Sequence, residues 1–249
     1  MHYEADTHTH TIASGHAYNT ILEMAQAAAD KGLKALALTD HTDGIPGAPT
    51  FMYFNNYKII PRKQRGITLL MGAEVNIFND GHIDLKNSVL KRQDIVIASI
   101  HKQCFTNAGL DGNTEAVLKI VDNPFVDIIG HPDDDGTPLD YERIVKRAAE
   151  TGTVLELNEY SYIQTGLRSG CKKNQLTYLA LCKQYGVHVT IGSDAHFCDR
   201  VGAHAFVEET LAEAEFPEEL VLNSSAEKLC AYLKARKDKL NNLEGDADD

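Results

Sequence analysis

His8 and His10 stand two residues apart directly after a short apolar run, and Asp194 and His196 repeat that spacing near the other end of the chain. In an extended segment, residues two apart point to the same side, so each pair can share one cation. Between them, His41 (preceded by Asp40), Glu74, His101 and His131 each stand at or just beyond the end of another apolar run. Imidazoles and carboxylates without thiolates suit zinc, manganese, iron or cobalt. Cys198 is close to the last pair in sequence but is not counted as a ligand. The isolated His2, His82, His188 and His204 read as surface or hydrogen-bonded core residues.

These residues need elements to position them. Runs at Tyr3–Asp6, Ala35–Thr39, Ile67–Val75, Ile95–Ile100, Val126–Ile129, Val154–Leu157 and His188–Ile191 read as seven strands. Helix-length amphipathic segments lie near Thr20–Lys31, Asn113–Val121, Asp140–Thr151 and Asn174–Tyr185, and another near Ser225–Leu240 closes the chain. An irregular stretch rich in Gly, Pro and aromatics fills Thr42 to Gly66. Strands alternating with helices predict parallel pairing through right-handed crossovers. An open doubly wound sheet and a closed barrel both satisfy the pattern, and both gather the residues that follow their strands on one carboxyl face. Six of the seven runs deliver a potential ligand there, and the remaining one delivers Asn158. Without a cation, so many imidazoles and carboxylates on one rim would leave buried polar groups unpaired.

The composition sets the outer bounds. At 43% hydrophobic and 24% charged, with 18 Gly and 7 Pro, the chain is neither collagenous, disordered nor coiled-coil throughout. No Ser/Pro-rich linker divides it, so one domain over residues 1–243 is expected, followed by a frayed acidic tail, 244–249. No apolar stretch approaches the roughly 18 residues that span a bilayer. The first residues lack the basic and apolar regions of a signal peptide. Five cysteines, odd in number and without a CxxC pair, point to a reducing, cytoplasmic setting. A net charge of −12 disfavours nucleic acid as a partner.

The motifs also have an order. Asp6-Thr-His8-Thr-His10-Thr, Ser14-Gly-His16 and Leu38-Thr-Asp40-His41 come first. Gly72-Ala-Glu74, the isolated His101, Gly130-His131-Pro132 and Gly192-Ser-Asp194-Ala-His196 follow. In this the chain resembles the polymerase and histidinol phosphatase (PHP) superfamily from about residue 3 to about residue 230. Its short build, and Ala17-Tyr18 after His16, are most similar to the stand-alone YcdX-type phosphatases. The resemblance implies an α/β fold, a single-domain distorted (βα)7 barrel of TIM-like form, with the active site at the carboxyl ends of the strands. It implies three divalent ions, zinc first, with manganese or iron as alternatives. By matching motif, His8, His10, Glu74 and Asp194 hold the first ion. Glu74 bridges to a second, completed by His101 and His131, and His16, His41 and His196 hold the third.

The activity so implied is a metal-dependent phosphatase, in which a metal-activated hydroxide attacks phosphorus in line with the departing alcohol. Three ions match the three non-bridging oxygens of a phosphomonoester, so the expected partners are a small phosphorylated metabolite and phosphate, with no membrane involved. Arg62 is the candidate to clamp the phosphate, since a planar fork suits bidentate contact; its alternative is a solvated surface arginine. Asn158 either bonds substrate or caps a helix, and Asp40 either orients a ligating imidazole or caps a turn. Phe51, Tyr53, Phe54 and Tyr57 form either a lid or ordinary packing. Competing readings are a histidinol phosphatase, which needs an acidic recess, and a 3′-end exonuclease or phosphodiesterase, against which the charge counts. A non-catalytic metal-binding module is the third, and the complete ligand set counts against it.

Overall fold

The apolar runs alternate with helices along the chain, and their pairing is what builds the site. The computed structural model describes residues 2–163 and 168–245. The strands are β1 (Ala5–Asp6), β2 (Ala35–Leu38), β3 (Lys63–Gln64), β4 (Ile67–Asn76), β5 (Ile95–Ser99), β6 (Ile128–Gly130), β7 (Val154–Asn158) and β8 (Val189–Gly192). The helices are α1 (Ile21–Asp30), α2 (Phe51–Asn55), α3 (Asn87–Leu90), α4 (Gly109–Val121), α5 (Tyr141–Thr151), α6 (Cys171–Tyr185), α7 (Ala205–Glu213) and α8 (Ala226–Gly245). The strands pair in the order β1-β2-β4-β5-β6-β7-β8, all parallel, while β3 runs antiparallel to β4 as a short hairpin.

The first and last strands meet just past their ends. Thr9 bridges Ala195, the His10 N–H donates to the Ala195 carbonyl at 2.9 Å, and the Asp194 N–H donates to the His8 carbonyl at 2.8 Å. This seam decides between the two architectures that the sequence left open. The molecule is a nearly closed seven-stranded parallel barrel inside a layer of helices, as the resemblance implied.

Strand periodicity explains why one end of the barrel is polar. Along β7, Val154 faces the lumen with Ala35, Ala37, Ile95, Ile97 and Ile128, while Leu155 and Leu157 face the helices. Side chains alternate faces, so Glu156 and Asn158 continue the lumen row that Val154 begins. Leu229 and Leu233 of α8 pack against the apolar end and plug it. The opposite, carboxyl end is left to the buried polar residues.

Local signals account for most helices. Thr20 caps α1 in a capping box: its Oγ1 accepts the Glu23 N–H, and Glu23 Oε2 accepts the Thr20 N–H at 2.7 Å. Asp140 caps α5, which ends at Gly152 with φ of 76°. Helix α7 is not foreseen from the sequence. Its first N–H groups are received by Glu159, a residue 47 positions away, with Oε1 on Phe206 N–H and Oε2 on Val207 N–H. In the stretch from Thr42 to Gly66, Phe54 and Tyr57 are buried and Phe51 is exposed, so most of that aromatic cluster is packing rather than lid. Of the acidic tail, Glu244 and Gly245 continue α8, and 246–249 lie outside the described residues.

Candidate metal centre

Glu74, near the end of β4, stands at the middle of the polar end of the barrel. Its carboxylate is fully buried and lies between five imidazoles. Oε2 is 2.7 Å from His41 Nδ1, 3.4 Å from His8 Nε2 and 3.6 Å from His10 Nε2. Oε1 is 3.0 Å from His131 Nε2 and 3.3 Å from His101 Nε2. Asp194 faces the same space from β8, with Oδ1 at 3.2 Å from His10 Nε2 and 3.7 Å from His8 Nε2. His16 and His196 extend the group outward, their Nε2 atoms 3.1 Å apart. All nine side chains named by motif therefore converge. Within them, three overlapping trios hold their ligand atoms within 4.8 Å of one another: His8-His10-Asp194, His10-His41-His196 and His41-Glu74-His101.

The other ring nitrogen of most of these histidines is already engaged. His8 Nδ1 donates to Glu156 Oε1 at 2.7 Å, and His101 Nδ1 to Asn76 Oδ1 at 2.7 Å. His16 Nδ1 donates to the Ser14 carbonyl at 3.1 Å, and His196 Nδ1 to the Asp194 carbonyl at 3.0 Å. His10 Nδ1 lies 3.0 Å from Ser14 Oγ, whose own proton goes to Asp40 Oδ1 at 2.7 Å. With Nδ1 as the donor, each of these rings turns an Nε2 lone pair toward the centre. The pairs His8–His10 and His16–His196 then bring Nε2 atoms to 3.0 and 3.1 Å, which calls for a positive charge beside them. His41 Nδ1 and Glu74 Oε2 are buried, close, and without a hydrogen bond. A lone pair of acceptors in that arrangement fits a cation.

The electrostatics agree. Burial opposes charge on His8, but Glu156, Glu74 and Asp194 outweigh it and hold its pKa well above the ordinary value. Burial and the neighbouring His41 and His196 push His10 well below its ordinary value and His16 lower as well. Burial raises Glu74 and Asp194, yet the surrounding imidazoles overcome it, and both stay well below the usual carboxylate range. The centre thus keeps two carboxylates ionised and draws positive charge to His8 beside them.

The chain's local geometry is bent to this purpose. His131 and Asp194 are non-glycine residues in the left-handed region, with φ of 28° and 53°. Such positions cost about 1–3 kcal/mol each and cluster at functional sites. Gly192 is required for close approach: a Cβ there would lie 2.0 Å from Glu156 Oε1 and 2.6 Å from His8 Cβ.

Arg62 is not brought here. Its Nε bonds Asp94 Oδ2 at 2.5 Å and its Nη1 bonds the carbonyls of Tyr57 and Ile60. Asp94 precedes β5 and Arg62 precedes β4, so both sit at the opposite end of the barrel from Glu74. The arginine beside the centre is Arg168, whose Nη1 donates to Asn158 Oδ1 and Ser161 Oγ, each at 3.1 Å, and lies 3.6 Å from Asp194 Oδ2. Asn158 does two things: its Nδ2 donates to Glu156 Oε2 and Asp194 Oδ2, and its Oδ1 accepts the Ser161 N–H. Asp40 reaches the imidazoles only through Ser14. Glu156 and Arg168 escaped the sequence reading. The signal for Glu156 was available, since an acid at the lumen phase of an apolar strand has no solvent to face.

A parallel barrel that ends in imidazoles and carboxylates defines a class. The PHP domain family matches residues 6–243, and the chain belongs to that family. A probable phosphatase of Clostridium novyi (strain NT) is 44% identical over 244 residues, covering 98% of this chain and 99% of the relative. Another, of Caldanaerobacter subterraneus subsp. tengcongensis, is 44% identical over 237 residues, covering 94% and 92%. Among solved structures, the histidinol phosphate phosphatase of Lactococcus lactis subsp. lactis, complexed with zinc, L-histidinol and phosphate, has a TM-score of 0.61 at 18% identity. That match covers 86% of this chain and 95% of the other, and it shows a common fold. Among the described residues, no helix is long and apolar enough to cross a membrane.

Proposed function

We propose that this protein is a metal-dependent phosphatase hydrolysing small-molecule phosphomonoesters at a centre of three divalent ions. One observation carries the reading. Imidazoles whose Nδ1 atoms are already engaged, on His8, His10, His101, His16 and His196, turn Nε2 toward two buried carboxylates and toward one another. The names borne by the relatives support the phosphatase half of the proposal.

His8, His10, Glu74 and Asp194 would hold one ion, Glu74 with His101 and His131 a second, and His16, His41 and His196 the third. Zinc suits this donor set, and manganese or iron accept the same ligands. When bound, the ions supply positive charge for the phosphoryl oxygens and acidify the attacking water. The chain's own part is orientation. Glu156, Asn76 and Ser14 fix which nitrogen of His8, His101 and His10 faces inward. Arg168, held by Asn158 and Ser161 beside Asp194, would take a phosphoryl oxygen in the role first expected of Arg62.

The test is phosphate release from phenyl phosphate by chelator-stripped protein and by protein reloaded with zinc or manganese, with metal content measured alongside. Activity that vanishes on stripping, returns on reloading, and is lost in His131→Ala is the expected result. A fully metal-loaded protein that releases no phosphate would refute the proposal.

A further inference from the structure

The cavity at the centre extends past the metal ligands. It measures about 330 Å³, near the lower end of the range for small-molecule sites. One end is the rim of His41, His101, His131, Asp194 and His196 with Arg168. The other is walled by Ile77 after β4, Phe105 after β5, Val117 of α4, Ile129 of β6 and Leu139 before α5. Each of these five is at most 6% exposed. They come from the layer between barrel and helices, so the cavity passes over the ends of β5 and β6 and dips behind the barrel wall.

Two features limit what this recess can receive. Among the described lining residues, the carboxylates are Asp194 and Asp134, and Asp134 Oδ1 is taken by the N–H groups of Gly136 and Ser169. Asp134 is half-buried and stands apart from the five buried wall residues, so an ammonium or imidazolium group seated against those five would meet an apolar wall without a carboxylate of its own. The other polar lining residues, Lys102, Gln103 and Thr137, are exposed or half-buried, so hydroxyl groups seated against the five buried residues would lose water without gaining side-chain partners there, a cost that methylene groups do not carry.

Resting on the phosphatase reading, we propose that the recess receives the alcohol part of the ester, and that the preferred substrates are monophosphates of apolar alcohols or phenols rather than of polyols, nucleosides or amino alcohols. In the reaction, the oxygen of water forms a bond to phosphorus and the bond from phosphorus to the alcohol oxygen breaks. One proton of the water ends on the departing alcohol, so ester and water give alcohol and inorganic phosphate, with no change of oxidation state.

The experiment uses n-alkyl monophosphates from methyl to pentyl, whose leaving groups differ little in acidity beyond the first members, and glycerol 1-phosphate as the polar counterpart of the propyl ester. The n-alkylphosphonates, which cannot be hydrolysed, provide a calorimetric Kd independent of turnover. Phosphonate binding and kcat/KM should each improve about fourfold per added methylene until the recess is filled. The propyl ester should exceed glycerol 1-phosphate at least tenfold. Val117→Phe, filling the recess from α4, and Thr137→Phe, covering it from the exposed loop, should each shrink the pentyl-to-ethyl ratio toward one. Either variant serves if the other fails to fold. Release of phosphate with a flat series, or with glycerol 1-phosphate equal to the propyl ester, overturns the assignment of the recess while the phosphatase reading stands. No release from any ester by the metal-loaded protein overturns both.

Discussion

Glu156→Gln is the most informative substitution in this site, because the structure allows glutamine no satisfactory orientation. Glu156 is fully buried in β7, with Oε1 accepting from His8 Nδ1 and Oε2 accepting the His131 N–H, each at 2.7 Å. A glutamine that keeps its oxygen on His8 turns its amide N–H groups against the His131 N–H, leaving a buried donor unpaired. The flipped glutamine satisfies His131 but offers His8 Nδ1 a donor, which forces the His8 proton onto Nε2 and removes that atom's lone pair from the centre. The first outcome costs about 1–3 kcal/mol of stability, the penalty for an unsatisfied buried group. The second costs about 10- to 100-fold in metal affinity, as for loss of a carboxylate that orients a ligating histidine. Urea unfolding of chelator-stripped protein reads the first, and zinc competition against a chromophoric chelator reads the second. A variant with stability within about 0.5 kcal/mol and zinc affinity within about threefold of the parent would refute the reasoning.

The two arginines make opposite predictions. Arg168→Ala should lower kcat/KM by about 10- to 100-fold, the worth of a charged hydrogen bond to phosphate, with metal content retained. Arg62→Ala should leave kcat/KM within about twofold and cost about 1 kcal/mol of stability, because the partly exposed pair with Asp94 and two carbonyl contacts are what it loses. Kinetics and urea midpoints of both variants decide it, and the reverse pattern would return the phosphate clamp to Arg62. Burial pushes the Cys182 thiol in α6 up to about 12. Above pH 9 the unfolded chain releases that proton and the folded chain does not, so folding stability falls as pH rises. The wild type should lose about 1 kcal/mol more than Cys182→Ala between pH 9 and pH 10, and parallel losses would refute the assignment.

The seven strand-forming runs were legible because each is a short apolar stretch bounded by a helix-length segment, and their order alone required a parallel sheet. Closure into a barrel was not legible, since it depends on the seam between His8–His10 and Asp194–Ala195, which lie 184 or more residues apart. The remote capping of α7 by Glu159 escaped for the same reason, since it has no local signature, whereas β3 pairs with β4 locally, across the two-residue Arg65-Gly66 turn. The convergence of His8, His10, His41, Glu74, His101, His131, Asp194 and His196 was readable because parallel strands put their carboxyl ends on one face.

The placement of Arg62 away from the centre has a physical source that applies beyond this chain. Sequence order placed Arg62 in the connection between two strands that carry ligands, but a βα connection must return to the amino end before the next strand begins. Arg62 lies on that returning limb, hydrogen-bonded through its own carbonyl to the Leu69 N–H as the chain enters β4. Arg168 lies in the connection after β7, before α6, still at the carboxyl end. A residue can reach the centre of a parallel barrel from the half of a connection that follows a strand, and not from the half that precedes the next one. By that criterion Arg168 and Tyr160, stacked 6.0 Å from His196, belong to the face of the site, while Arg62 and Lys63 belong to the plugged end with α8.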